Sequence, residues 1–290
     1  MDYILHLIIL ILLYIMLTQS LVLTSGYSGL LSLAHAGFYG IGAYVSAILS
    51  VKYGVSFFLS LPLAMLSSGL IAVIVSTIAL RTVDDYFIII TLGIQVVAFS
   101  IMNNVMSLTN GPLGISGIPS ISLFGVPIDN KLSLLFLILI MSALVFYVIN
   151  NITKSPFGRI LISLSQDEIF TKSLGKNVYA AKIISFAMGA MFAAIPGALY
   201  AHYVSYIDPS SFTVNESIFI LSIVIIGGSK NLWKVSLATV LLILLPELLR
   251  FIGMSGNMAA NVRQILYGSA LVITIFNYRK HKFKQLQVNK

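Results

Sequence analysis

Ser28 and His202 are the two side chains of this chain whose types could make a nucleophile and its base. Ser28 lies in Gly26-Tyr27-Ser28-Gly29, a glycine-flanked serine of the kind that attacks a peptide carbonyl once a histidine on another helix takes its proton. Against that reading, so short a pattern arises easily in a chain this rich in Gly and Ser, and Ser28 falls at the start of an apolar run instead of inside one. Asp84 and Asp85, in RTVDDY at 81–86, have the pairing that holds magnesium on a diphosphate. Such sites need a second acidic cluster, and the nine acidic residues form none, so the segment reads as a polar turn. His6, His35, His202 and His281 are scattered without metal-ligand spacing, and cysteine is absent, which removes disulfide, thiol and iron–sulfur chemistry. No phosphate-binding loop or dinucleotide glycine pattern occurs. The reading is a chain without catalytic residues, metal or cofactor of its own.

Composition explains what the chain does have. Hydrophobic residues fill 58% of 290 positions and charged ones 9%, too little polar surface to cover a water-soluble domain. Apolar runs near 3–23, 30–51, 57–80, 86–107, 132–150, 183–204, 216–228, 235–252 and 264–278 approach the length needed to cross about 30 Å of hydrocarbon. They predict an all-α polytopic membrane protein of about 8–10 transmembrane helices, one transmembrane domain over 1–290. The 216–228 run is short enough for a half-helix. The first run lacks the basic start and small-residue cleavage site of a signal peptide and reads as a retained helix.

Basic residues set the orientation, because basic loops resist translocation. Lys154, Arg159, Lys172, Lys176 and Lys182 share one loop, Lys230 and Lys234 flank a later turn, and Arg279, Lys280, Lys282, Lys284 and Lys290 end the chain. With Arg81, thirteen of seventeen basic residues are expected in the cytoplasm, leaving Lys52, Lys131, Arg250 and Arg263 outside. The N-terminus is then outside and the C-terminus cytoplasmic, in the cell membrane. The net charge of +8 follows from this topology, so nucleic acid has no support as a partner, and the tail at 279–290 reads as an anchor beside anionic lipid.

Residues 26–44, GYSGLLSLAHAGFYGIGAY, are dense in small side chains. In lipid such density lets helix backbones touch, and it also suits a helix broken beside a cavity. Gly26, Ser28, Gly29, Ser32, His35 and Gly37 are therefore candidates for a translocation path. Thr91 and Gln95 join them from one face of the 86–107 run. The glycine- and proline-punctuated stretch SLTNGPLGISGIPSISLFGVP at 107–127 suits a lid or docking surface on the external side.

The segment 154–182 is the one long polar island. Ser155 before Pro156 predicts a capped helix, and Ser165 with Glu168 three residues later predicts a capping box for a second, which Gly175 ends. Ile160, Leu161 and Leu164, then Ile169, Phe170 and Leu174, give each helix a short apolar face. A membrane protein that structures a cytoplasmic loop in this way passes force or information to a soluble partner.

Together, GYSGLLSLAHAGFYGIGAY, LRTVDDYFIIITLGIQ followed by LTNGPLGISGIP, SPFGRILISLSQDEIFTKSLGKNV, AKIISFAMGAMFAAIPGALYAHYVSYIDPSSF and the IIGGS at 225–229 resemble the branched-chain amino acid permease family of ABC importers, and its LivM-type membrane subunit in particular. The match runs in order along nearly the whole chain. The resemblance implies a subunit that does no covalent chemistry. Phe157, Gly158, Arg159, Asp167, Glu168 and Gly175 fall in a coupling loop gripped by a cytoplasmic ATP-binding-cassette ATPase. Two such ATPases, a second permease in a heterodimer, an external solute-binding protein and a small-molecule substrate are the implied partners, with branched-chain amino acids the family default. The turn Ser229-Lys230-Asn231-Leu232-Trp233 is bulkier and more basic than the glycine-rich turn of the family pattern. Two rival readings are a secondary transporter, for which only Glu247, Glu216 and Asp208 offer ionisable groups near spans, and a rhomboid-like intramembrane serine protease using Ser28 and His202.

Overall fold

The first twenty helical residues contain neither proline nor glycine, and the computed structural model folds them as one unbroken helix, α1 (Asp2–Leu21). Residues 2–251 are described except for positions 83, 124, 125 and 129, as are 268 and 269. The ninth apolar run, Arg263 and the basic tail lie outside them. Past α1 the chain widens into a π-helical turn, Val22–Tyr27, and helical structure then stops over 28–34. Gly29 takes the left-handed φ of +75° there, and α2 starts only at His35 (His35–Tyr53). The run expected as a span from 30 is thus an unwound stretch followed by a helix, the broken form that its glycines allowed.

The helices that follow are α3 (Phe57–Ala79), α4 (Asp84–Asn104), the short α5 (Met106–Thr109), α6 (Lys131–Lys154), α7 (Pro156–Gln166), α8 (Glu168–Ser173), α9 (Val178–Val204), α10 (Val214–Ile226) and α11 (Leu232–Phe251). Among the described residues, five stretches are long and apolar enough to cross a membrane: α1 with its π turn, α3, α4, α6 and α9. α10, with 13 residues, is about 20 Å long at 1.5 Å per residue and is a half-helix.

Small residues set the packing. α2 and α9 cross in backbone contact, for a side chain on Gly42 would overlap the Ala194 backbone and one on Gly197 would overlap the Tyr39 carbonyl. α3 lies against α9, where Ser68 Oγ donates to the Ala190 carbonyl (2.9 Å). On the outside, Leu66, Leu70, Ile74 and Ile78 of α3 and Phe136, Ile140 and Leu144 of α6 are exposed at four-residue spacing, an apolar stripe suited to hydrocarbon.

The bundle has two unlike ends. At one, Lys131 pairs with Asp2 (3.6 Å) and Lys52 Nζ donates to the Ser107 carbonyl (2.7 Å). The 107–127 stretch folds over this end as tight turns and two strand pairs. Its β1 (Ile115–Ser116) is antiparallel to β4 (Tyr206–Ile207), and β2 (Ser122–Leu123) is antiparallel to β3 (Val126–Pro127). At the other end lie Arg81, α7, α8 and the 227–231 turn, and Tyr179 donates to the Thr77 carbonyl (3.1 Å).

Candidate functional site

Because α2 begins inside the bundle, its first N–H groups and those of the unwound residues just before it cannot be left to water. Its N-cap, Ala34, has no side chain to offer, and neighbouring elements supply the acceptors. Leu33 N–H donates to Thr91 Oγ1 (3.1 Å), Ala36 N–H to Ser217 Oγ (3.0 Å) and Gly37 N–H to Gln95 Oε1 (2.6 Å). Ser217 Oγ donates in turn to Gln95 Oε1 (3.3 Å). Gln95 Nε2 donates to the Phe212 carbonyl (2.8 Å), at the end of the 3-10 turn Pro209–Phe212 that leads into α10. One amide side chain on α4 thus ties together two helices that both begin within the bundle. Thr91 and Gln95 are both 0% exposed, and the polar stripe read on α4 is spent on holding broken backbone.

The remaining path candidates lie on or against the same unwound stretch. Ser32 Oγ accepts from Ala34 N–H (3.2 Å), and His35 Nε2 lies 2.6 Å from Ser20 Oγ of α1. Ser28 Oγ donates to the Thr24 carbonyl (2.5 Å), Gly26 abuts the Ser229 carbonyl and Gly29 abuts Ser165. Ser217 was missed in the sequence because its partners are distant in the chain. An apolar cavity of about 400 Å³ between α2, α3 and α4 borders Gly37 and holds no charged side chain.

The protease dyad does not form. His202 Nδ1 lies 2.8 Å from the Pro119 carbonyl, so its other nitrogen accepts from Ser46 (3.0 Å). It sits beneath the 107–127 loop, whereas Ser28 is near the opposite end, next to α7. The Asp84 and Asp85 side chains lie outside the described residues.

At that opposite end the polar island folds as two capped helices. Ser155 Oγ accepts from Gly158 N–H (3.3 Å), with Pro156 as the first helical residue. A side chain on Gly158 would overlap the Thr153 carbonyl, so glycine allows α7 to fold back tightly from α6. Leu161 and Leu164 are buried beside Leu23, Val178 and Ala181, with Phe157 and Ile160 packed against them. The second cap differs from the predicted capping box. Asp167 Oδ1, not Ser165, accepts from Phe170 N–H (2.9 Å). α7 persists to Gln166, which leaves Ser165 inside a helix, donating back to the Ile162 carbonyl (2.8 Å). Glu168 instead meets Lys182 of α9 (2.5 Å). Gly175, at φ +72° with its N–H on the Lys172 carbonyl (3.0 Å), ends α8 as expected.

α8 does not fold its apolar face down. Ile169 is 83% exposed, and Phe170 and Leu174 are each 57% exposed, beside exposed Arg159 and Lys172. Lys230 Nζ donates to Ser165 Oγ (2.9 Å), and Tyr27 OH donates to the Lys230 carbonyl (3.0 Å). The loop therefore touches both the start of the unwound stretch and the α10–α11 turn. Partial desolvation lowers the Lys230 ammonium below the usual lysine pKa.

An apolar exterior and, among the described residues, five stretches long enough to cross a membrane define an all-α multi-pass membrane protein. The chain belongs to the family described as branched-chain amino acid transport system / permease component, which it matches over residues 3–275. It is 37% identical over 261 residues to the high-affinity branched-chain amino acid transport system permease protein LivM of Salmonella typhimurium and 36% identical to that of Escherichia coli, in each case over 82% of this chain and 61% of the relative. The probable branched-chain amino acid transport permease protein LivM of Methanocaldococcus jannaschii is 28% identical over 167 residues, 57% of this chain and 48% of the relative. The chain thus spans about three-fifths of the length of the first two relatives. No solved structure matches it significantly.

Proposed function

We propose that this chain is the membrane-spanning permease subunit of an ATP-binding-cassette importer that moves branched-chain amino acids or related small solutes delivered by an external binding protein. It works as one transmembrane domain across 1–290, in the cell membrane, beside a second homologous permease and above two cytoplasmic ATPases. The observation that carries this reading is α8, which presents Ile169, Phe170 and Leu174 to the surroundings from a helix fixed by Asp167, Gly175 and the Glu168–Lys182 pair. Burying such side chains in a partner's cleft is favourable by roughly 1.5–3 kcal/mol each. The orientation is supported by the charge partition, since Arg81, the α7–α8 loop, Lys230 and Lys234 share one end of the bundle while Lys52 and Lys131 share the other. The cytoplasmic tail and the N-terminus then follow the basic-inside preference.

In this mechanism, closure of the ATPases on nucleotide pushes α7 and α8 as a lever. Phe157, Gly158 and Arg159 at the start of α7 and Asp167, Glu168 and Gly175 around α8 keep that lever stiff. The push reaches the unwound stretch through Gly29 and Tyr27, and the α10–α11 turn through Lys230. Glu168→Ala and Gly175→Ala are expected to lower transport-coupled ATP hydrolysis about fivefold, the equivalent of about 1 kcal/mol of lost helix fixation, with membrane insertion intact. Hydrolysis assayed in reconstituted vesicles with loaded binding protein checks this, and unchanged coupling in both variants removes the mechanism.

A further inference from the structure

α2 is largely buried, yet Ile41, Val45 and Ile48 are only half-buried. Their spacing of four and three residues follows one helical face. Outside that face stand α3 and α4, and the stripe shows through a gap between them. The gap is the mouth of the cavity of about 400 Å³ that borders Gly37. Its walls include Ile71 and Val75 of α3 and Ile94, Val97 and Ile101 of α4. Of these, Ile71, Val97 and Ile101 are also exposed on the outer surface. α3 and α4 are both long and apolar enough to cross a membrane, so the cavity is a slot that opens sideways into hydrocarbon. Water finds no partners in such a lining, and an empty slot forfeits dispersion contacts on every wall.

The slot is matched to one kind of occupant. Its floor is a single row of side chains, too narrow for a helix about 10 Å across and suited to one hydrocarbon chain. From Gly37 to Ile48 it follows α2 for about 16 Å at 1.5 Å per residue. One leaflet of a hydrocarbon core about 30 Å thick is about 15 Å deep, so the slot has the length of one leaflet. Its outer end is roofed by Leu108 and Thr109 of α5. One helical turn past Ile48 stands the exposed Lys52. Lys52 Nζ donates to the carbonyls of Ser107 (2.7 Å) and Leu108 (3.2 Å), which places the ammonium over that roof. Carbonyl dipoles position the charge without neutralising it, and an ammonium has a third N–H to give. An acyl tail in the slot thus ends beneath a cation, at the level where a phospholipid carries its phosphate.

We propose that the slot between α2, α3 and α4 binds one acyl chain of a phospholipid from the leaflet at the Lys52 end, with Lys52 on the lipid's phosphate. The test takes the full chain, purified in detergent from membranes of phosphatidylglycerol and phosphatidylethanolamine, and counts retained lipid by native mass spectrometry. Wild type keeps one phospholipid per chain. Val45→Phe, which fills the floor of the slot, lowers the retained fraction at least about tenfold, and Ile48→Phe, nearer its outer end, does the same. Lys52→Ala, an exposed change that leaves the slot walls intact and the fold unthreatened, lowers it about fivefold. Ile140→Phe, on the exposed face of α6 and outside the slot, leaves it unchanged. A wild-type chain that keeps no phospholipid, slot-filled variants that keep as much as wild type, or retention unmoved by Lys52→Ala overturns the proposal. A free fatty acid retained in place of a phospholipid does so too. Loss of the lipid when the chain is purified together with its partner permease would assign the slot to a protein interface and overturn it as well.

Discussion

Gln95→Leu is expected to lower the melting temperature of the detergent-purified protein by at least about 5 °C. The glutamine side chain is 0% exposed and serves Gly37 N–H, Ser217 Oγ and the Phe212 carbonyl at once. Leucine fills similar volume and leaves the two backbone groups buried without partners. Each such group costs about 1–3 kcal/mol, and in a domain of this size about 1 kcal/mol shifts melting by roughly 2–4 °C. Gln95→Glu in its protonated form keeps an acceptor for Gly37 and Ser217 and a donor for Phe212, so its shift at low pH should be smaller. A melting temperature unmoved by Gln95→Leu would mean that α2 and α10 are held at their starts by something other than this amide.

Gly42→Val is expected to be more damaging still. Any side chain at 42 would occupy space held by the Ala194 backbone, so α2 and α9 must separate or bend, and neither helix has a flexible side chain there that could yield. Overpacking against backbone belongs to the small class of substitutions costing more than about 4 kcal/mol. The readout is the yield of monodisperse protein after extraction, which should fall close to zero. Gly93→Ala is the control. It lies in the interior of α4 with open space where a side chain would go, and alanine there should stabilise by up to about 1 kcal/mol. Similar yields for Gly42→Val and wild type would show that the α2–α9 crossing is looser than its backbone contact indicates.

Both interruptions were legible in the sequence, for different reasons. The glycine and serine density at 26–44 lowers the cost of leaving helix, and the 216–228 run is too short to span. That these two starts meet was not legible. Gln95 and Ser217 are separated by 122 positions, and helical spacing tells which face of α4 is polar without telling what it faces. The first cap of the loop was legible because Ser155 and Pro156 act within one turn. The second was not, since Ser165 and Asp167 are both good acceptors and the choice turns on how far α7 continues. Burial of Leu164 against Leu23 and Val178 carries α7 past Ser165, and Asp167 becomes the next residue able to cap. Glu168 then finds Lys182 only because the 174–177 turn brings α9 back alongside α8. The exposure of Ile169, Phe170 and Leu174 also depends on tertiary packing, for the same pattern would suit a helix lying flat on the bundle.

The central claim is that the α7–α8 loop projects into the cytoplasm and is held there by an ATPase. Ile169→Cys, placed in this cysteine-free chain and treated with a membrane-impermeant thiol reagent, tests it most directly. Labelling only in inside-out vesicles, suppressed when the ATPases are bound, is the predicted result. Labelling of Ile169→Cys in right-side-out vesicles would contradict it.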